Sequence, residues 1–312
     1  MEEKIFDEQI CYIDPLSDFG FKRVFGLDGC QEELKYMLNL FVSERFGRIS
    51  EVQYLPNEVV GLDEYDRKVV FDVLCKNERN DYFVVEMQKI RQRFPIERGL
   101  AYASRLISNS ITVKDKKYHI ANVCVVCLME HPDRLALKRG EKVWFVNYKD
   151  DFGNIISDNP TFCIVELGIF AREKKVPKTE QEILAHVFNN MRKMTELPQQ
   201  ASGNSFFETM FRRCNYKKFS DMEKDEYKKS IWDYADVQSG MELAREEAFQ
   251  DGIEKGIEKG IEKGRAEGEA RGEAKSRILI ARNMLSKGLD IALISEFTGL
   301  TKEEIKAIEV RD

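Results

Sequence analysis

The sequence predicts a mixed α/β fold, a sheet flanked by helices, followed by an all-helical C-terminal region. Three observations predict it: apolar runs of strand length between residues 51 and 169, amphipathic helical spacing around them, and the loss of strand signals beyond residue 200. Residues 17–46 read as helix from Phe21, Val24, Phe25, Leu34, Met37, Leu38 and Phe41, with an interruption at Gly26–Gly29. A strand is expected around 51–60. Two further runs, from Val69 to Cys75 and from Tyr82 to Gln88, flank the turn-forming stretch 76–81 and read as a β-hairpin. Leu100, Ala103, Leu106 and Ile107 mark a helix over 96–110, with Pro95 suited to its first turn. Strands at 119–129, 142–148 and 161–169 and a helix at 179–194 complete an αβββαβ-like order.

If the hairpin turn centres near Arg79, Asp72 and Glu86 are equidistant from it and face each other, with Cβ atoms roughly 5 Å apart. Side chains alternate along a strand, so Gln88 shares the face of Glu86 while Val85 and Met87 point the other way. Buried, unpaired carboxylates cost several kcal/mol, and a facing pair also repels. Such a pair needs a cation, a shared proton or a sheet edge open to water; a hard divalent metal is the preferred reading.

The chain has 312 residues, 43% of them hydrophobic and 33% charged, which allows one substantial core and smaller modules and excludes a wholly disordered chain. It shows no apolar run of membrane-span length and no signal-peptide pattern at its start, so a soluble, cytoplasmic protein with no membrane partner is expected. Seven cysteines, mostly in apolar segments, read as reduced core thiols. Cys124 and Cys127 have the spacing of a metal pair, but residues three apart on a strand point to opposite faces. The three histidines, His119, His131 and His186, lack zinc-site spacing and a nucleophile partner. Hydrolase chemistry through serine or cysteine therefore has no support.

A net charge of −6 does not advertise a nucleic-acid binder, so any polyanion contact is local. The candidate series is Lys89, Arg91, Arg93, Arg98 and Arg105, then Lys114, Lys116 and Lys117; its bland reading is a solvated helix face.

Beyond the α/β region, 1–200, come a helical stretch, 201–250, with a capping box at Ser220–Glu223, a repeat, 251–276, and a small helical module, 277–312. In the repeat, glycines at 252, 256, 260, 264, 268 and 272 recur every fourth residue, and Ile253, Ile257 and Ile261 form a neighbouring stripe. A four-residue unit advances about 400° on a helix, so each stripe drifts about 40° per unit. Six glycines, each costing nearly 1 kcal/mol relative to alanine, leave an isolated helix unstable. The segment is either a flexible linker or, as favoured here, a helix stabilised by a partner. In the last module, helix, Thr298-Gly299-Leu300 and a helix opened by the capping box Thr301–Glu304 and running through Val310 follow a helix-turn-helix layout. Residues 302–310 carry two lysines against three glutamates, however, and packing or oligomerisation is expected there rather than DNA reading.

Taken together, Asp18-Phe-Gly-Phe21-Lys22, Phe71-Asp72-Val73-Leu74, Val85-Glu86-Met87-Gln88, Phe94-Pro-Ile-Glu-Arg98-Gly-Leu-Ala-Tyr102, the glycine-rich repeat and the block from Ala281–Leu285 to Thr298–Leu300 resemble the Rpn family of recombination-promoting nucleases and transposase-like proteins. That family lies in the PD-(D/E)XK nuclease superfamily, and the likeness spans most of the chain. It implies a restriction-endonuclease-like core and a metal-dependent DNA endonuclease acting in recombination or on mobile DNA. By the same resemblance Asp72 and Glu86 bind Mg²⁺, with Mn²⁺ or Ca²⁺ as alternatives, Gln88 fills the slot usually held by lysine, and Asp18 adds an acidic group. An amide contributes no positive charge, and Lys22 is expected to supply it. Lys89, Arg91, Arg93, Arg98 and Tyr102 are the candidate DNA contacts, Arg98 and Tyr102 alternatively supporting the site. A homodimer through the repeat is expected; the competing reading is a catalytically weak or inactive relative that binds DNA or protein.

Overall fold

The computed structural model describes residues 10–59, 69–89, 95–111, 120–131, 134–172 and 176–309. They form two compact units, one ending at Tyr234 and one beginning at Ala235.

The first unit opens with the short helix α1 (Asp18–Phe21), which runs into a π-helical turn, Lys22–Gly26, and then α2 (Gln31–Phe46). Ser17 caps α1: its hydroxyl accepts from the Gly20 N–H at 3.0 Å. Gly20 is there for want of room, since a Cβ would lie 2.0 Å from the carbonyl oxygen of Asp14.

The strands are β1 (Val52–Tyr54), β2 (Glu58–Val59), β3 (Val69–Val70), β4 (Val73–Asn77), β5 (Tyr82–Gln88), β6 (Val123–Met129), β7 (Val143–Lys149) and β8 (Ile155–Glu166). Six of them form one mixed sheet in the order β1-β4-β5-β6-β8-β7, while β2 and β3 pair separately. β4 and β5 are the antiparallel hairpin, with Val73 opposite Val85 and Lys76 opposite Tyr82; β5–β6 and β6–β8 are parallel. The hairpin turn is organised by Asn77, whose Oδ1 accepts from the N–H groups of Arg79 at 3.0 Å and Asp81 at 2.9 Å. Asn80 takes a left-handed φ of 61°, which asparagine tolerates.

α3 (Pro95–Ser110) covers one face of the sheet, where Ala103 and Leu106 pack with Leu74, Val84, Val125, Cys127, Phe162 and Ile164. The other face buries Val73, Val85, Cys124, Val126 and Val165 against α2, α6 (Glu180–Asn190) and α7 (Ser205–Arg213). Cys124 and Cys127 thus lie on opposite faces, as strand alternation requires. All seven cysteines are unbridged, and burial pushes the Cys127 thiol up to about 12. Two short helices, α4 (Arg134–Arg139) and α5 (Leu167–Arg172), complete the set; β8 ends at Glu166, three residues before the expected end, because the chain turns there into α5.

Phe206, Phe207, Met210, Phe211, Tyr216 and Tyr227 belong to the same core, so the unit runs past residue 200 to Tyr234. Among the described residues no helix is long and apolar enough to cross a membrane.

One helix, α8, spans Asp221–Ser286 and contains the whole glycine repeat, so that segment is helical rather than a linker. The expected Ser220 box opens it, the Ser220 N–H donating to Glu223 Oε2 at 2.8 Å. In the second unit the end of this helix packs with α9 (Ile291–Thr298) and α10 (Lys302–Glu309) around Ala281, Ile294 and Ile305. Gly299, at φ 70°, makes the α9–α10 turn. Val310, the expected helix end, lies outside the described residues.

Candidate active site

The register of β4 and β5 continues to bring Asp72 and Glu86 opposite each other at the open end of the hairpin. The Asp72 N–H donates to Glu86 Oε1 at 3.2 Å, and the Met87 N–H donates to Asp72 Oδ2 at 2.8 Å. Glu86 is 3% exposed and Gln88, on the same face, 4%. Gln88 Nε2 lies 3.4 Å from Glu86 Oε2, a weak bond that leaves Gln88 Oε1 buried without a hydrogen-bond partner.

From the facing helix α3, Arg98 donates through Nη2 to Glu86 Oε2. Its guanidinium carbon lies 5.3 Å from the Tyr102 ring centre, and that ring meets Phe71 edge-on at 5.1 Å. Gly99 permits the close approach: a Cβ there would come within 2.7 Å of the Phe162 ring. Arg98 and Tyr102 therefore belong to the acid site, Arg98 bonded directly to Glu86.

Burial pushes the Glu86 carboxyl well above the usual range, and the neighbouring Asp72 adds to the rise, against the pull of Arg98. Burial raises Asp72 too, opposed by the Met87 N–H. A single guanidinium does not neutralise two facing acids. Among the described residues no three His, Cys, Asp or Glu side chains cluster as a metal site. The donor set nevertheless fits a hard cation, because two carboxylates plus water are what Mg²⁺ accepts, and the buried Gln88 amide, whose Oε1 has no partner, lies beside Glu86.

Asp18 and Lys22 lie at the margin. Their charges act on Asp72, Asp18 raising its pKa and Lys22 lowering it, while the two side chains pair with each other at 2.9 Å in a largely exposed position.

Lys89, expected among the DNA contacts, faces elsewhere. One residue beyond Gln88, it alternates to the opposite face, pairs with Asp14 Oδ2 at 2.6 Å, and lies 4.3 Å from the Tyr234 ring centre. Its charge is matched internally. Arg91, Arg93, Lys114, Lys116, Lys117 and His119 lie outside the described residues; Arg105 is on α3. Sequence reasoning missed the Asp14 partner, which no spacing signals across seventy-five positions. It also passed over Gly20 and Gly99, although a glycine inside a helical pattern marks close backbone approach.

A family model described as PD-(D/E)XK nuclease family transposase matches residues 15–244. A second, described as Rpn/YhgA-like nuclease family, C-terminal HTH domain, matches residues 275–310. No curated protein and no solved structure matched the chain. The second match shows that the last module is a helix-turn-helix domain, and it supports DNA binding over the expected packing or oligomerisation. With a six-stranded mixed sheet carrying the acid pair and a helix-turn-helix module at its end, the chain belongs to the PD-(D/E)XK nuclease family transposases, in their Rpn branch.

Proposed function

We propose that this chain is an endonuclease that hydrolyses DNA phosphodiester bonds with a divalent ion, Mg²⁺ first and Mn²⁺ or Ca²⁺ as substitutes, in recombination or on mobile DNA. The observation that carries the reading is the meeting of Asp72 and Glu86 across the hairpin, with the buried Gln88 amide beside Glu86. Asp72 and Glu86 hold the ion. Bound there, it supplies charge neutralisation at the scissile phosphate and acidifies a water. Gln88 accepts a hydrogen bond from that water and orients it but cannot take its proton. Asp18 extends the acidic rim, Lys22 adds the positive charge that the glutamine lacks, and Arg98 with Tyr102 meets the phosphate backbone. The helix-turn-helix module brings the duplex to the site.

A catalytically weak, DNA-binding relative is the second reading, favoured by Gln88 in place of lysine and by the Arg98 bond to Glu86. Supercoiled plasmid and an RNA of matched length, each with and without Mg²⁺ or Mn²⁺, separate the two. Metal-dependent DNA cleavage that disappears in folded Asp72→Ala and Glu86→Ala proteins supports the enzyme; intact DNA under every condition supports the silent relative.

The partner proposed for the repeat is a second copy of this chain. Ile253, Ile257 and Ile261 are 43%, 57% and 67% exposed, and no atom approaches the space beside Gly252, Gly256 or Gly260. Each unit puts lysine on the glycine side of this strip and glutamate on the isoleucine side. A parallel two-fold pair then sets lysine against glutamate, whereas an antiparallel pair sets like against like. Each dimer offers one site to each strand of a duplex.

A further inference from the structure

We propose that Arg98 is a resident counter-ion of the acid pair, which a divalent ion displaces from Glu86, freeing the guanidinium for a substrate phosphate. The inference rests on the metal-binding reading above. Glu86 Oε2 accepts from both Arg98 Nη2 and Gln88 Nε2, while Oε1 accepts from the Asp72 N–H, so both oxygens of this carboxylate are already engaged. An incoming ion needs a lone pair of Glu86, and the Arg98 bond competes most directly because it alone carries a full charge.

The geometry allows that bond to open without disturbing the core. The Glu86 side chain is 3% exposed, but that of Arg98 is 37% exposed, so the arginine already lies partly in water. The backbone of α3 is pinned at Gly99 against Phe162 and Val125, which leaves rotation of the Arg98 side chain as the movement. The Tyr102 ring, 5.3 Å from the guanidinium, supports the cation after release. Charge drives the exchange: one guanidinium leaves the facing carboxylates with a net negative charge, and a divalent ion cancels both. Metal and phosphate affinities are then linked through one side chain, each strengthening the other.

Calorimetric titration of the full chain with Mn²⁺ tests this, using wild type, Arg98→Met and the metal-blind control Asp72→Asn. Losing the competing charge is expected to tighten Mn²⁺ binding by Arg98→Met about tenfold. A short DNA duplex gives the second readout. Arg98→Met is expected to bind it as wild type does without the ion and more weakly than wild type with Ca²⁺ present. Should the methionine variant melt early, Arg98→Gln repeats both measurements. Unchanged or weaker Mn²⁺ binding by the Arg98 variant, alongside loss in Asp72→Asn, overturns the exchange and leaves the metal site standing. No Mn²⁺ uptake by any of the proteins removes the metal reading and this inference with it.

Discussion

Asp72 and Glu86 hold each other across the hairpin: the Asp72 N–H donates to Glu86 Oε1 at 3.2 Å, and the Met87 N–H donates to Asp72 Oδ2 at 2.8 Å. Each carboxylate is thus fixed by the other strand's backbone. A slip of one residue would turn every side chain of a strand to the opposite face and separate the acids. The Asn77 turn that sets this register is therefore part of the site's construction.

The first prediction concerns pH. Burial raises the Glu86 pKa in the folded protein, whereas the unfolded value is about 4.3. Between these values the folded state keeps a proton that the unfolded state has released, so stability declines as pH rises through that window. Its contribution is intact below the unfolded pKa and fully lost above the folded one. Glu86→Gln removes the share of this slope that Glu86 carries. Melting temperatures without metal are expected to show the variant gaining on wild type steadily from pH 5 to pH 8, and parallel curves would contradict the burial argument.

Gly99→Ala places a methyl group 2.7 Å from the Phe162 ring. Phe162 is 3% exposed and has little room to yield, so overpacking of about 1–3 kcal/mol is expected in denaturant unfolding. Because α3 carries Arg98, the same change should also reduce cleavage; wild-type stability would mean that the helix seats more loosely than described.

For Lys89→Met the two readings of a basic residue separate. The lysine is bonded to Asp14, which sits largely out of solvent, so the variant should lose about 1–3 kcal/mol of stability. The salt dependence of DNA binding should not change, because no phosphate contact is removed. A shallower salt slope would restore Lys89 to the DNA-contacting set.

Much of this was legible in the sequence because it depends on local rules. Turn residues around Arg79 gave the hairpin and its register; alternation placed Gln88 beside Glu86 and split Cys124 from Cys127; two capping boxes marked helix starts at Ser220 and Thr301. What escaped depends on distant partners. Asp14 claimed Lys89, and Phe206, Phe211 and Tyr227 joined the sheet's core from beyond the last strand. The role of Arg98 was half visible: four residues from Tyr102 it reads as a surface pair, and only packing of α3 on the sheet brings it to Glu86.

The repeat offers a prediction of its own. A peptide covering 249–276 is expected to gain helicity by circular dichroism as its concentration rises, since glycine at every fourth position disfavours the lone helix. Replacing the six glycines by alanine should raise helicity at all concentrations. Concentration-independent helicity of the native peptide would argue against self-association.

The central claim, that Asp72 and Glu86 form one cation site beside Gln88, is tested most directly by Mn²⁺ anomalous scattering from crystals of the full chain. The account predicts a single strong peak within bonding distance of an Asp72 and a Glu86 oxygen, with Arg98 withdrawn from Glu86. An empty map between the two acids at saturating Mn²⁺, with Arg98 still bonded to Glu86, would contradict it.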